Sequence, residues 1–186
     1  ALNSVVWSGT LAVAVGNADG VDSYILTSPN GTTWTERANQ KNGDLKSVCW
    51  AITQFVAVGA SDGTDAYIIT SPDGTTWTEQ ANPKNVDLNS VTWTGMQFVA
   101  VGNADDIDAY ILTSPGGTTW TEQVNPKQVT SFSSMGAFAA STLPSSQYWF
   151  SVAYGNGRFV AVSGQLSAAA AYYTDGGATW IAATLP

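Results

Sequence analysis

The sequence contains no histidine, one cysteine and only six basic residues in 186. Each scarcity excludes something. Without histidine, the commonest general base at neutral pH and the commonest catalytic-zinc ligand are missing, and a nucleophile–histidine triad is impossible. The lone Cys49 cannot form an intramolecular disulfide, and its place in a β-rich run predicts a buried, inert thiol. Fourteen acidic residues against six basic ones leave a net charge of −8. The basic footprint of a nucleic-acid-binding protein is therefore absent, and anionic membrane surfaces are disfavoured. No apolar run is long enough to span a bilayer. The start at Ala1 carries no signal peptide and reads as that of a mature or trimmed chain. Charged residues make up 11% of the chain, whereas Thr, Ser, Asn and Gly abound. That composition suits short strands and tight turns.

What is present is a repeat. Trp7, Trp50 and Trp93 stand 43 residues apart, as do Trp34, Trp77 and Trp120. "LNSVVW" at Leu2 returns as "LKSVCW" at Leu45 and "LNSVTW" at Leu88; "YILTSPNGTTWTE" at Tyr24 returns at Tyr67 and Tyr110 with small changes. A period of this length marks one supersecondary unit that buries its apolar faces by stacking. Each copy reads as four strand-length runs rich in Val, Ile, Thr and aromatics, with no helical spacing. The turns Pro29-Asn30-Gly31, Pro72-Asp73-Gly74 and Pro115-Gly116-Gly117 join the third and fourth runs. Proline presets φ there and glycine supplies the left-handed residue.

A divergent fourth copy closes the chain. "SVAYGNGRFVAVSG" at Ser151 aligns with "SVTWTGMQFVAVGN" at Ser90, and "YYTDGGATW" at Tyr172 aligns with "LTSPGGTTW" at Leu112. The expected architecture is therefore all-β: a β-propeller of four four-stranded antiparallel blades in one domain over 1–186, with blades near 1–43, 44–87, 88–128 and 145–186. An insertion covers 129–147. Its "FAASTLP" at Phe138 echoes the final "WIAATLP", so it reads either as an extra outer strand or as a surface loop.

The segment Asp175 to Trp180 resembles the tail of the Asp-box, Ser-x-Asp-x-Gly-x-Thr-Trp, of BNR-repeat propellers, with Tyr173 in place of the leading serine. "TSPDGTTW" resembles it more loosely: Pro72 stands at the aspartate position and Asp73 follows. The composite repeats also resemble those of bacterial and phage-encoded surface proteins, which implies an extracellular, cell-surface or virion setting. Sialidases share this box, and their chemistry implies three arginines around a carboxylate. This chain has two in total, Arg37 and Arg158, in unlike repeat positions.

Nine of the eleven aspartates fall in or beside the loops after the second and fourth strands, which predicts one acidic face. The pairs Asp19/Asp22, Asp62/Asp65 and Asp105/Asp108 read as turn caps, as hydrogen-bond acceptors for sugar hydroxyls or a basic partner, or as a weak Ca²⁺ site. Asn39, Asn82 and Asn125, with Lys41, Lys84 and Lys127, recur in the links after each fourth strand and offer donors for polyols. These twelve residues form the candidate ligand-binding set. No catalytic residue, zinc site or cofactor is expected. Paired-carboxylate glycosidase chemistry stays open on residue types alone. Recurrence of the acids in three copies argues instead for structure or repeated binding. The expectation is thus a non-enzymatic, lectin-like binding or adhesion module for a glycan or cell-surface receptor, monomeric rather than dimeric. A structural module of a surface or phage-tail assembly is the alternative, and a glycosidase the third reading. The tryptophans are expected to pack between blades.

Overall fold

The computed structural model describes residues 1–39, 41–51, 53–82, 84–104 and 109–124, and the backbone of four strands beyond them. Among the described residues there is no helix, and so none long and apolar enough to cross a membrane. Among the described residues, sixteen strands form four antiparallel four-stranded sheets. Sheet one holds β1 (Leu2–Trp7), β2 (Ala12–Gly16), β3 (Ile25–Ser28) and β4 (Thr35–Glu36). Sheet two holds β5 (Leu45–Ala51), β6 (Gln54–Ser61), β7 (Ala66–Ser71) and β8 (Thr78–Glu79). Sheet three holds β9 (Leu88–Trp93), β10 (Phe98–Ala104), β11 (Ala109–Ser114) and β12 (Thr121–Glu122). Sheet four holds β13 (Trp149–Gly155), β14 (Arg158–Ser163), β15 (Ala169–Tyr173) and β16 (Ile181–Thr184). In every sheet, neighbours in sequence are neighbours in space.

The first strands are innermost: β1 packs on β5, β5 on β9 and β9 on β13. The short fourth strands β4, β8 and β12 are exposed. The second strands read as unbroken Val/Ala runs because both their faces are covered, and β2 is buried at all five positions. Each first strand carries a register shift near its start. There the backbones crowd. A Cβ on Gly16, Gly59 or Gly102 would stand 2.0, 1.9 or 2.1 Å from the carbonyl oxygen of Ala1, Asp44 or Asp87. Only glycine lets the loop after the second strand close on the link entering the first.

The turns behave as their residues dictate. Gly31, Gly74 and Gly117 have φ of 74, 75 and 76°. Asp73 Oδ1 accepts the N–H groups of Thr75 and Thr76 at 2.8 and 2.9 Å, and Asn30 does the same for Thr32 and Thr33. The Thr75 side chain first, and these N–H groups with it, hold the Asp73 carboxyl well below the usual range. The Trp34, Trp77 and Trp120 indoles each donate to the carbonyl of the turn glycine three residues back.

Among the described residues, two cores lie between sheets. One joins Val13, Val15 and Ile25 of sheet one to Leu45, Val48, Phe55 and Tyr67 of sheet two; the other joins Val56, Val58 and Ile68 to Leu88, Phe98, Tyr110 and Trp120. Phe55 lies between Trp50 and Trp77, with ring centroids 4.3 and 6.3 Å away, and Phe98 lies likewise between Trp93 and Trp120. Cys49 is buried in the second core, and burial pushes its thiol up to about 12. Tryptophan packing between sheets is thus seen for Trp50, Trp77, Trp93 and Trp120. It is corrected for Trp7 and Trp34, which are 52 and 39% exposed because, among the described residues, no sheet covers sheet one on that side. The insertion at 129–147 lies outside the described residues.

Candidate active site

The innermost strands each begin with leucine and then a polar residue: Leu2-Asn3, Leu45-Lys46 and Leu88-Asn89. Leu45 and Leu88 point into the inter-sheet cores and are fully buried. Successive side chains of a strand face opposite ways, so the residue after each leucine faces out of its core. Asn3, Lys46 and Asn89 accordingly meet, with Asn17 and Asp44, around one open cleft of about 440 Å3. A concave site with a few convergent polar groups is the form expected of a substrate pocket.

Its walls are tied together across the sheets. Asn3 Nδ2 donates to Asn17 Oδ1 at 2.6 Å and to the Leu45 carbonyl at 2.8 Å. Lys46 Nζ lies 2.8 Å from Asp87 Oδ2 and 2.9 Å from Asn89 Oδ1. Asp87 Oδ1 accepts the Ser61 N–H and hydroxyl. Burial pushes the Asp87 carboxyl up, but Lys46 and the Ser61 donors outweigh it and leave the group below its ordinary value. Asp44 Oδ1 accepts the Ala18 N–H at 2.8 Å. Its other oxygen has no hydrogen-bond partner among the described residues. Three amides, one ammonium and one carboxylate thus line the cleft, and a second carboxylate, Asp87, is held by that ammonium.

This cleft was not among the sequence-derived candidates. The signal was present in the polar residue after the leading leucine of each copy. Only its face in the strand shows that the three side chains meet.

The sequence-derived candidates lie further out, and the structure brings four of the twelve, Asn39, Lys41, Asp62 and Asp65, into one cluster. Lys41 Nζ sits 2.9 Å from Asp62, 3.4 Å from Asp65 and in contact with Glu79. It also stands 4.8 Å from the centre of the Tyr67 ring, whose hydroxyl donates to Asn39 Oδ1. Burial disfavours the Lys41 ammonium, but Glu79 and Asp62 overcome that and raise it above its ordinary value. Lys41 and two backbone N–H groups lower the Asp62 carboxyl to about 2. One period later Lys84 meets Glu122, and Tyr110 donates to Asn82 Oδ1. The aspartate pairs also cap their own turns: Asp19 Oδ1 accepts from Val21 and Asp22, and Asp62 Oδ1 from Thr64 and Asp65. The first of these donors lowers the Asp19 carboxyl. Asp19, Asp22 and Glu36 place carboxylate oxygens within 4.8 Å of one another. Asp105, Asp108, Asn125 and Lys127 lie outside the described residues.

No protein-family model and no curated protein matches this sequence. Solved structures do. A novel α-L-arabinofuranosidase from Clostridium thermocellum matches over 100% of this chain and 73% of its own length, with TM-score 0.53 and 9% identity. A mutant Trypanosoma rangeli sialidase displaying trans-sialidase activity matches over 98% of this chain, with TM-score 0.55 and 11% identity. The chain spans only 37% of that protein. At such identities the likeness establishes the fold, which is of the β-propeller class.

The comparison corrects one expectation. A non-enzymatic binding, adhesion or assembly module, with catalysis set aside, does not stand beside neighbours that carry this fold as glycosidases. The physical reason lies in the argument from recurrence. Residues repeated in sequence do not have repeated environments. Lys46 stands where the flanking copies have Asn3 and Asn89, and Asp87 has a lysine where Asp44 has none among the described residues.

Proposed function

We propose that the chain is a four-bladed, Asp-box-type propeller, one domain divided near 1–43, 44–87, 88–128 and 145–186, that cleaves or transfers glycosidic bonds at the inner cleft. The observation that carries this reading is one cleft lined by Asp44, Lys46 and three amides, with a second carboxylate, Asp87, held 2.8 Å from that lysine. Most glycosidases flank the scissile bond with two carboxyl groups, one ionised and one delivering a proton to the leaving oxygen. Asp87, with its carboxyl lowered, fills the ionised role and stabilises positive charge on the sugar ring. Asp44, with one oxygen uncommitted among the described residues, supplies the second carboxyl of the pair. Asn3, Asn17 and Asn89 bind sugar hydroxyls as donors and acceptors.

Two neighbours that act as an arabinofuranosidase and a sialidase support the reaction class. The two arginines of this chain do not make a carboxylate-gripping set, so the proposed substrates are neutral glycosides. An extracellular, cell-surface or virion setting belongs to the same proposal. The test is a panel of neutral aryl pyranosides and furanosides. Turnover that falls by about 10²–10⁴ in Asp44→Asn supports the reading. No turnover on any member, or turnover unchanged in Asp44→Asn, overturns it.

A further inference from the structure

Sheet one presents a face that sheets two and three hide. Leu2, Val5, Trp7 and Trp34 are 52, 65, 52 and 39% exposed. One period later, Leu45 and Val48 are 0 and 6% exposed, and Trp50 and Trp77 pack on the core shared with sheet one. Scattered exposed apolar side chains are ordinary, but four on one sheet face mark an interaction surface.

Charge marks the same sheet independently. In sheet two the trio Asp62, Asp65 and Glu79 is filled by Lys41, which arrives from the link of the preceding sheet. In sheet one the equivalent trio, Asp19, Asp22 and Glu36, has carboxylate oxygens within 4.8 Å and no lysine among the described residues. Both the apolar and the ionic half of an inter-sheet contact are therefore prepared on sheet one, and among the described residues no sheet completes them.

We propose that this face docks a second copy of the chain, through the outer face of that copy's fourth sheet. The strand register shows the fit. In sheet one Val13 and Val15 pair with Val6 and Ser4 on one side and with Thr27 and Ile25 on the other. These two valines lie in the core that covers the leading face of sheet two. In sheet four Val160 and Val162 hold the same register, paired with Ala153 and Ser151 and with Tyr172 and Ala170. The register shift at the start of the first strand is repeated too, between Trp149 and Ser151 as between Leu2 and Ser4. Sheet four thus repeats, in backbone register, the valine positions that a leading face accepts elsewhere in the chain. Such a contact is head-to-tail: the copies close into a ring of two or more chains, or propagate as a filament.

Sedimentation velocity and native mass of the full chain over a wide concentration series test this. The expected result is a mass that rises with concentration and stays at the monomer in Val5→Glu and Trp7→Glu. Val21→Glu, a loop change at an equally exposed apolar residue, should keep the association. Both face variants alter exposed side chains, and an unchanged far-ultraviolet circular dichroism spectrum verifies their fold. A chain that is monomeric at every concentration overturns the proposal, whether Trp7 is open to acrylamide quenching or shielded. Shielding in a monomer means that the fourth sheet of the same chain covers the face. Association that survives Val5→Glu and Trp7→Glu overturns it as well, because it uses another surface.

Discussion

Sheets one and two are almost the same sequence in different company. Both begin with a leucine, end their first strand with tryptophan and carry an aspartate pair, a Pro-x-Gly turn and a second tryptophan. In sheet two the leucine is buried and both tryptophans pack against the core shared with sheet one, and the aspartates hold a lysine. In sheet one they face outward and the aspartates hold none among the described residues. The comparison shows that a repeat specifies a geometry, whereas position in the stack decides what each residue does. The same holds at the inner cleft, where Asn3, Lys46 and Asn89 are one repeat position with two chemistries.

The largest expected effect separates the two first-strand tryptophans. Trp50→Ala should cost about 3–5 kcal/mol, as large aromatic truncations in cores do. Trp7→Ala should cost under ~1 kcal/mol, because half of its surface already meets water. Urea midpoints of the two variants measure the difference, and equal losses would show that Trp7 is covered in solution.

A gain should come from the reverse experiment. Phe55 and Phe98 sit between two indoles, whereas sheet one has Ala12 there between Trp7 and Trp34. Ala12→Phe should add about 0.5–1.5 kcal/mol, the scale of an aromatic pair beyond its buried area. The thermal midpoint reads it, and a fall would mean that sheet one cannot open that gap.

The lysine that distinguishes the two aspartate trios has a smaller effect, with a pH signature. The Asp62 carboxyl is lowered from 3.8 to about 2 in the fold. A depressed carboxyl stabilises above its unfolded value, and that contribution is lost as pH falls through the window from 3.8 towards 2. Lys41→Met should lower the urea midpoint at pH 7 by less than Trp50→Ala does. It should also flatten the loss of stability through that acid window. An unchanged acid limb in the variant would show that Lys41 is not the cause.

The smallest readout is Cys49. Buried and raised to about 12, it should resist a thiol reagent in the native state and react on unfolding. Fast native labelling would place the second core open to solvent.

The strand order, the hairpin turns and the position of Cys49 were legible in the sequence because each follows from local rules: period, proline and glycine chemistry, and β-branched runs. The four-stranded units repeat as the 43-residue period requires. The acidic face was partly legible, since loops after second strands and links after fourth strands do meet, as Lys41 with Asp62 shows. What stayed hidden was set by contacts between copies. That Lys41 fills an aspartate trio, that Asn39 binds Tyr67, and that Asn3, Lys46 and Asn89 share a cleft all depend on the rotation from one sheet to the next. No local pattern encodes that rotation. The exposure of Trp7 was hidden for the same reason, because its strand is indistinguishable from that of Trp50.

The most direct test of the functional account sets two aspartates of one repeat protein against each other. Asp44→Asn and Asp62→Asn remove the same carboxylate charge, one at the inner cleft and one at the outer lysine cluster. Turnover of a neutral aryl glycoside should collapse in Asp44→Asn and stay near wild type in Asp62→Asn. Equal turnover in the two variants, or loss in Asp62→Asn alone, would contradict the assignment of the chemistry to the cleft between the innermost strands.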